Sequence, residues 1–422
     1  MRSRSVNAKL SNKKIAGLLS AATCSLLAAP AQAEDEAWDV DAAVLYYAES
    51  DGRIQAFEPV ISATKDLGDE ELLSFKLVLD SLTGSSASGA VPSTQVQVFT
   101  RPSGNGSYSV AANETPLDPS FKDTRVSLSM NWEKPVDRVN RRNLGFNISK
   151  EYDFTSLAAN ALWQRDSNQR NTTWSYGFNL EFDEIDPVGG APEPLTRLID
   201  QNKMSSNESR SIVDLLFGVT QVIDRSSLFQ LNLSLSEADG YMTDPYKLVS
   251  VVDNTTGLPT EQWFESRPDS RSRRSIFGKY KKMLSNKDIF TASYRFMTDD
   301  WGIDSNTLDF AYRFAFNRGY YIQPRLRWYL QSEADFYNYF LRTGETPEYA
   351  SADYRLGEME ATTIGFKFGR EIDEQRAWSL RLEMYEQSGD SSPSEAFGQL
   401  AQQDLYPTVE ATIVQFNYSF RY

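Results

Sequence analysis

The sequence predicts an all-β fold, a transmembrane antiparallel β-barrel of about sixteen strands. Three observations predict it. Almost every ordered-looking segment alternates apolar and polar residues with period two. These segments run about ten to thirteen residues, the length a tilted strand needs to cross a bilayer. The chain also ends in such a segment, "ATIVQFNYSFRY", with Thr412, Val414, Phe416, Tyr418, Phe420 and Tyr422 on one face and Ala411, Ile413, Gln415, Asn417, Ser419 and Arg421 on the other. A bare aromatic ribbon at the end of a chain suits a solvent of lipid. It resembles the terminal strand that barrel-assembly machinery reads.

The N-terminus reads as an export signal, residues 1–33. Arg2, Arg4, Lys9, Lys13 and Lys14 form a basic start, and Ile15 to Ala29 is apolar but too short to span a bilayer. Ala31 and Ala33 then place small residues at a cleavage site. A lipidated Cys24 is the alternative, but Ala21-Ala22-Thr23 is a poor lead-in and the apolar run continues past it. Cleavage after Ala33 removes five cations, no carboxylate and the single cysteine, so the formal net charge moves from −15 to −20. Disulfides and thiol chemistry drop out. The acidic balance argues against a nucleic-acid partner. No apolar run after the signal reaches the length of a transmembrane helix, which leaves the barrel open.

Residues 34–422 then divide into sixteen predicted strands: 38–49, 54–65, 71–82, 124–134, 141–151, 154–165, 172–183, 210–221, 226–237, 272–284, 288–298, 305–317, 320–332, 359–370, 376–387 and 408–422. "NTTWSYGFNLEFD" shows the pattern, with Trp174, Tyr176, Phe178, Leu180 and Phe182 opposite Thr173, Ser175, Gly177, Asn179 and Glu181. Five connections are long, 83–123, 184–209, 238–271, 333–358 and 388–407, and all five follow odd-numbered strands. That asymmetry is the one between long extracellular loops and short periplasmic turns in outer-membrane barrels. Both termini are then periplasmic. Trp38, Trp132, Trp163, Trp174 and Trp378 fall at the periplasmic strand ends, joined by Tyr422, as an interfacial aromatic girdle. Trp328 falls near the outer end. The competing reading is a soluble β-sandwich or propeller, which would need a second layer to cover so much aromatic surface.

The chain contains no histidine. Without His, and without Cys after cleavage, nucleophilic triads and zinc or haem ligation lose their usual parts. The expectation is therefore no enzyme and no cofactor. The predicted lumen is more informative. Lys279, Lys281, Arg295, Arg313, Arg325, Arg327, Lys367 and Arg381 take inward positions, with Asp309, Glu383, Tyr321, Tyr329 and Tyr385 among them. Such a strip attracts anions or sets channel selectivity. Alternatively it pairs with acidic side chains of inserted loops and stabilises a plugged barrel. The Gly/Ser-rich start of the first long loop, "TGSSASGAVPST", either folds into the lumen or lies on the surface. Arg267, Arg271, Arg273 and Arg274 meet lipopolysaccharide phosphates, neighbouring loops or solvent. Asp299, Asp300 and Asp304 form a weak calcium candidate, against the commoner reading of a turn held by Asp hydrogen bonds.

Several stretches carry a family resemblance: "PLDPSFKDTR" (116–125), "DPYK" (244–247), "RPDSRSR" (267–273), "YRFMTDDWGI" (294–303) and "RWYLQSEADFY" (327–337). Together they resemble the motifs of a bacterial family of about 420 residues known as a domain of unknown function, itself similar to outer-membrane barrels. Family genes lie near those for a flavin transferase, a thioredoxin-like protein and a small lipoprotein. The resemblance implies a link to redox processes at the envelope and a small lipoprotein or periplasmic redox protein as partner. Asn306 stands where the family often has histidine, and no catalytic residue carries over. The expectation is a porin-like channel for small anionic solutes in the outer membrane of a Gram-negative bacterium, in contact with lipid and lipopolysaccharide. The alternative is a plugged barrel that scaffolds a periplasmic partner.

Overall fold

The computed structural model describes residues 37–204 and 207–422; the predicted signal segment, with Ala31 and Ala33, lies outside them. In chain order the strands are β1 (Trp38–Glu49), β2 (Gln55–Gly68), β3 (Glu71–Ala87), β4 (Gln97–Thr100), β5 (Ser107–Val110), β6 (Leu117–Pro135) and β7 (Asn140–Lys150). Next come β8 (Phe154–Ser167), β9 (Thr172–Ile185), β10 (Glu208–Asp224), β11 (Ser227–Gly240), β12 (Leu248–Val252), β13 (Pro259–Phe264) and β14 (Ser270–Met283). The last are β15 (Ile289–Asp299), β16 (Asp304–Ala315), β17 (Tyr320–Gln331), β18 (Leu341–Arg342), β19 (Met359–Glu371), β20 (Arg376–Ser388) and β21 (Val409–Arg421).

Sixteen of these strands close into one antiparallel barrel, in the order β1-β2-β3-β6-β7-β8-β9-β10-β11-β14-β15-β16-β17-β19-β20-β21. Closure is made by β1 against β21, from Asp39↔Arg421 to Glu49↔Ala411. Trp38 N donates to Tyr422 O at 2.7 Å and Tyr422 N to Trp38 O at 2.8 Å. Each of the sixteen matches a predicted strand. The differences lie at the loop end, where β3 runs on to Ala87 and β6 starts at Leu117. The hairpin therefore stands beyond the apolar belt with polar side chains on both faces, a region where alternation of hydrophobicity vanishes and only hydrogen bonding defines the strand.

Period two sets the two surfaces. Across neighbouring strands the register aligns Tyr46 with Phe57, Phe178 with Leu215, Phe217 with Leu233 and Phe310 with Leu326. All of these residues are exposed on the outer wall. A soluble sheet would cover such a belt; on this barrel it is bare, as on barrels that a bilayer surrounds. The alternate residues are mostly polar and face the lumen. Asn147 Nδ2 donates to Ser127 Oγ and Ser129 Oγ, and Ser234 bonds Ser275 across strands.

Every connection at the end that holds the termini is brief. One of the two shortest, Asp69-Glu70, has both residues at positive φ (54° and 62°), the backbone of a two-residue hairpin turn that matches strand twist. At the opposite end, long loops 88–116, 186–207, 241–269, 332–358 and 389–408 leave after the third, seventh, ninth, thirteenth and fifteenth barrel strands. They carry the additional strands, paired as β4-β5 and as the mixed sheet β13-β12-β18.

These loops make one roof. Val91, Val252, Trp301, Phe336, Tyr337, Leu400 and Tyr406 share one buried core. Leu248 N donates to Ser88 O, Phe264 N to Thr196 O, Ser266 N to Ala350 O, and Gln399 Nε2 to Gly257 O. Contacts among loops rooted at such separated points of the ring require the roof to cross the barrel mouth. The Gly/Ser-rich first loop belongs to it, with Ala90, Phe99, Tyr108 and Val110 buried against Leu248 and Phe264.

Two glycines shape the lumenal face of β19. A Cβ on Gly365 would stand 2.4 Å from Glu383 Cγ and 2.7 Å from the Leu382 carbonyl oxygen, and one on Gly369 would stand 2.5 Å from the Tyr321 ring. Their bare surfaces let Glu383 and Tyr321 lie across the strand. Gly369→Ala should displace the Tyr321 ring and cost about 1–3 kcal/mol as an overpacking change. Urea unfolding in detergent, followed by heat-modifiable gel mobility, measures it; an unchanged midpoint would count against this packing.

Candidate lumenal site

All eight basic residues named from the sequence face the lumen, and the structure divides them. Lys279, Lys281, Arg313, Arg325, Lys367 and Arg381 line one recess of about 370 Å³ in the half of the lumen nearer the turns, together with Asp309 and Glu383. Arg327 lines a second recess of about 300 Å³ nearer the roof, with Tyr329, Tyr385, Met359, Ala361 and Ile413. Arg325 and Glu383 border both. Arg295 joins neither; its guanidinium lies 5.5 Å from the centroid of Phe277.

The register explains the clustering. β16 and β17 align Asp309 with Arg327 and Ala311 with Arg325, so the small Ala311 leaves Arg325 room to lean towards Asp309. Arg325 Nη2 reaches Asp309 Oδ2 at 2.6 Å, and Nη1 reaches Glu383 Oε1 at 3.0 Å across Gly365. Arg325 thus sits between two carboxylates. Arg381 lies 3.9 Å from Glu383, and Arg313 lies 2.5 Å from Glu371 and 3.8 Å from the Tyr321 ring centroid. Among the described residues Lys279, Lys281, Arg327 and Lys367 have no carboxylate partner; Lys367 lies 5.9 Å from the Tyr321 ring. The most conspicuous motif in the sequence, "QPRLRWYLQ", therefore places its first arginine in a neutralised position. Of the eight, the uncompensated charge lies on three lysines, Arg295 and Arg327.

The other side of the lumen has the opposite sign. Asp41, Glu58, Asp80, Glu181, Asp183 and Asp214 occupy inward positions on β1, β2, β3, β9 and β10. Arg125 lies 3.4 Å from Asp80 and 4.0 Å from Glu58, and Arg210 lies 2.6 Å from Asp183. Asn179 Nδ2 donates to Asp214. A basic wall on β14 to β20 thus faces an acidic and amide-rich wall.

The aromatic residues stand on the outer face. Trp38, Trp132, Trp163, Trp174, Trp378 and Tyr422 lie at the turn end, and Trp328 lies towards the loop end. Trp132 Nε1 donates to Glu71 at 2.7 Å and Trp328 Nε1 to Glu360 at 2.8 Å, so the indoles bond polar groups with their N–H and leave their rings on the outer face, the arrangement an aromatic girdle would need. Asn306 also faces outwards and accepts from Tyr294 OH. The aspartates of "TDDWGIDS" do not converge on a cation. Asp299 accepts from Trp301 N and Ile303 N and pairs with Arg271, while Asp300 accepts from Ser272 N. Asp304 lies at the start of β16, its N–H bonded to Ser332 Oγ. Among the described residues no cluster of carboxylates is arranged to hold a metal.

The structure adds an ionic knot inside the roof. Arg267 pairs with Glu265 at 2.6 Å and Asp353 at 2.9 Å, and Arg355 pairs with Asp353 at 2.5 Å and Asp244 at 2.8 Å. Ser351 Oγ donates to Glu265, and Lys247 Nζ donates to Ala87 O. Glu265 is 0% exposed and Asp353 1%, so their charges rely on these partners. Arg271 stacks 4.3 Å from the Trp301 ring centroid. Arg267 is therefore a stitch between loops and Arg271 one between the ends of β14 and β15; Arg273 bonds Ser236 and Arg274 points outwards from β14. Sequence reading named Arg267 but neither Arg355 nor the carboxylates Glu265 and Asp353, the latter 86 residues from Arg267.

Burial raises the Asp353 carboxyl, but Arg355, Lys247 and Arg267 outweigh it and hold it far below the usual range. Burial pushes Glu265 up, against the pull of Arg267. Asp353 therefore contributes stability that is present above the ordinary aspartate range and lost only as pH falls below it. The cost of keeping Glu265 ionised is relieved as pH falls through its raised value. Asp353→Asn leaves two arginines short of charge and should weaken the roof by about 3–5 kcal/mol. Limited proteolysis at neutral pH should then cut loops 241–269 and 332–358 while the barrel keeps its heat-modifiable mobility. Loops as resistant as in the unaltered protein would contradict the role given to the knot.

No curated protein matches the chain in sequence. Solved structures match it in fold. A bacterial polysaccharide outer membrane secretin is 9% identical over 93% of this chain and 100% of its own, with a TM-score of 0.47. The outer membrane protein opdK from Pseudomonas aeruginosa is 8% identical over 93% and 100%, with a TM-score of 0.39. The P. putida toluene transporter TodX is 8% identical over 92% and 91%, with a TM-score of 0.37. The family model DUF3570, described as a protein of unknown function, matches residues 16–420, and the chain belongs to that family.

Proposed function

We propose that this chain is an outer-membrane barrel of a Gram-negative bacterium whose lumen takes up small anionic solutes, by passive or facilitated passage beneath the loop roof. The observation that carries this reading is the turn-end recess, where six cations face two carboxylates in a chain of net charge −15. Fixed lysines on a wall backed by lipid raise the local concentration of anions and give an aqueous lumen its selectivity. The lysines matter more than Arg325, whose charge is already met by Asp309 and Glu383.

The roof favours a second reading. Four of the long loops meet in one core and the second joins them through Leu198 in a neighbouring one, and a barrel so covered would act as a scaffold open only at its turn end. Its partner would then be periplasmic, a small lipoprotein or a redox protein.

Residues 34–422 reconstituted in a planar bilayer test both, with heat-modifiable mobility to show folding. Under a tenfold salt gradient, about the range where surface potentials still act, the reversal potential should report anion preference. The triple variant Lys279→Gln, Lys281→Gln, Lys367→Gln should reduce the anion-to-cation ratio several-fold. A conducting triple variant with unaltered ratio would contradict the anion reading. A folded barrel that inserts and stays silent would favour the scaffold.

A further inference from the structure

We infer that the lumen binds an amphipathic organic anion, with its acid group in the lysine recess and an apolar body in the recess beneath the roof. This rests on the anion reading above and goes further by assigning the uncharged part of the ligand. Two adjoining spaces of unlike chemistry carry it. The lower one is cationic, with Lys279, Lys281 and Lys367 uncompensated. The upper one, about 300 Å³, is lined by Met359, Ala361, Ile413 and the rings of Tyr329 and Tyr385, with Thr363, Arg325, Arg327 and Glu383 at its polar side.

The upper space is unusual for a barrel lumen. On β19 to β21 the inward positions nearer the turns are polar, among them Lys367, Arg381, Glu383, Gln415 and Asn417. Nearer the roof Met359, Ala361 and Ile413 bring in apolar groups beside the polar Thr363 and Gln387. Met359 also packs against the roof core, so the apolar side of the space is continuous with it. The tyrosine hydroxyls are turned to neighbours on their own strands: Tyr329 OH donates to Gln331 at 2.6 Å and Tyr385 OH to Gln387 at 2.7 Å. With those hydroxyls engaged, the rings have their faces left for contact. An apolar group placed there leaves water, and the gain scales with the area covered.

The junction fixes the ligand's orientation. Arg325 and Glu383 border both spaces and hold each other at 3.0 Å. Glu383 would repel an acid group placed beside it, whereas the lysines on β14 and β19 would hold one lower down. Arg327 at the upper space has no carboxylate partner among the described residues and can meet a polar substituent on the body. Neither an inorganic anion nor a neutral hydrocarbon satisfies both spaces. An acid joined to an aromatic or alicyclic body does.

Calorimetric titration of the folded barrel in nanodiscs, with heats into empty nanodiscs subtracted, tests this with three probes: 4-phenylbutyrate, inorganic phosphate and benzyl alcohol. Phenylbutyrate should bind at least about tenfold tighter than either of the others, since it alone fills both spaces. Lys279→Gln with Lys281→Gln should weaken phenylbutyrate and phosphate alike, and Ile413→Ser should weaken phenylbutyrate and leave phosphate unchanged. Phosphate binding as tightly as phenylbutyrate would overturn the apolar half of the inference, and benzyl alcohol doing so would overturn the anionic half. If neither anion binds and the bilayer shows no anion preference, the anion reading itself fails. Anion preference without selective phenylbutyrate binding would sink only this inference.

Discussion

The hydrogen-bond ladder between β1 and β21 is the constraint on which the rest depends. In hydrocarbon there is no water to satisfy a free strand edge, and each unpaired backbone group would cost several kcal/mol. Eleven residue pairs from Asp39↔Arg421 to Glu49↔Ala411 remove that edge. Arg421 pairs with Asp39 at 2.8 Å, and Ser419 donates to Asp41 at 2.5 Å, on the lumenal side of the same seam. Once the sheet is closed, alternation has only one meaning. Odd positions of β1 must face the lumen and even positions the lipid, and the register carries that choice around the ring.

Closure also separates two kinds of cohesion. The barrel wall has little buried apolar core of its own; its outer residues are exposed and its lumenal ones bond through amides, hydroxyls and ion pairs. The conventional core lies in the roof, where Tyr406, Leu400, Trp301 and Phe336 are buried with loop backbone wrapped around them. An ionic knot of Glu265, Arg267, Asp353 and Arg355 ties the third and fourth long loops together beside that core. The lumen below combines opposite walls, lysine-rich on one side and carboxylate-rich on the other. Our proposal assigns the lysine side to the solute.

Much of this was legible in the sequence because a membrane imposes a simple code. Strands such as 172–183 had to be long enough to cross and apolar on one face only, and Trp174 and Trp163 mark one interface. The inward direction of Lys279, Arg313 and Arg381 followed from the same alternation. Their state of neutralisation did not. Arg325 is met by Glu383, two strands away, only because Gly365 leaves the intervening strand bare, a relation with no signature in local spacing. The loop strands β4, β5, β12, β13 and β18 are short and depend on pairing partners distant in the chain, so periodicity gives little sign of them. Asp299 had the composition of a cation ligand, but Arg271 and the turn's own N–H groups take its oxygens.

The central claim is an electropositive wall in a water-filled lumen. Because the cleaved chain would contain no cysteine, Gln323→Cys places a single thiol on that wall without removing a charge. The measurement is its rate of reaction with a negatively charged and a positively charged methanethiosulfonate of similar size. The same ratio at Gln169→Cys, on an exposed turn, provides the reference. The negative reagent should be favoured at Gln323 by about tenfold over that reference, of the order expected for a focused potential of a few kT. Equal ratios at the two positions, or preference for the positive reagent at Gln323, would contradict the account.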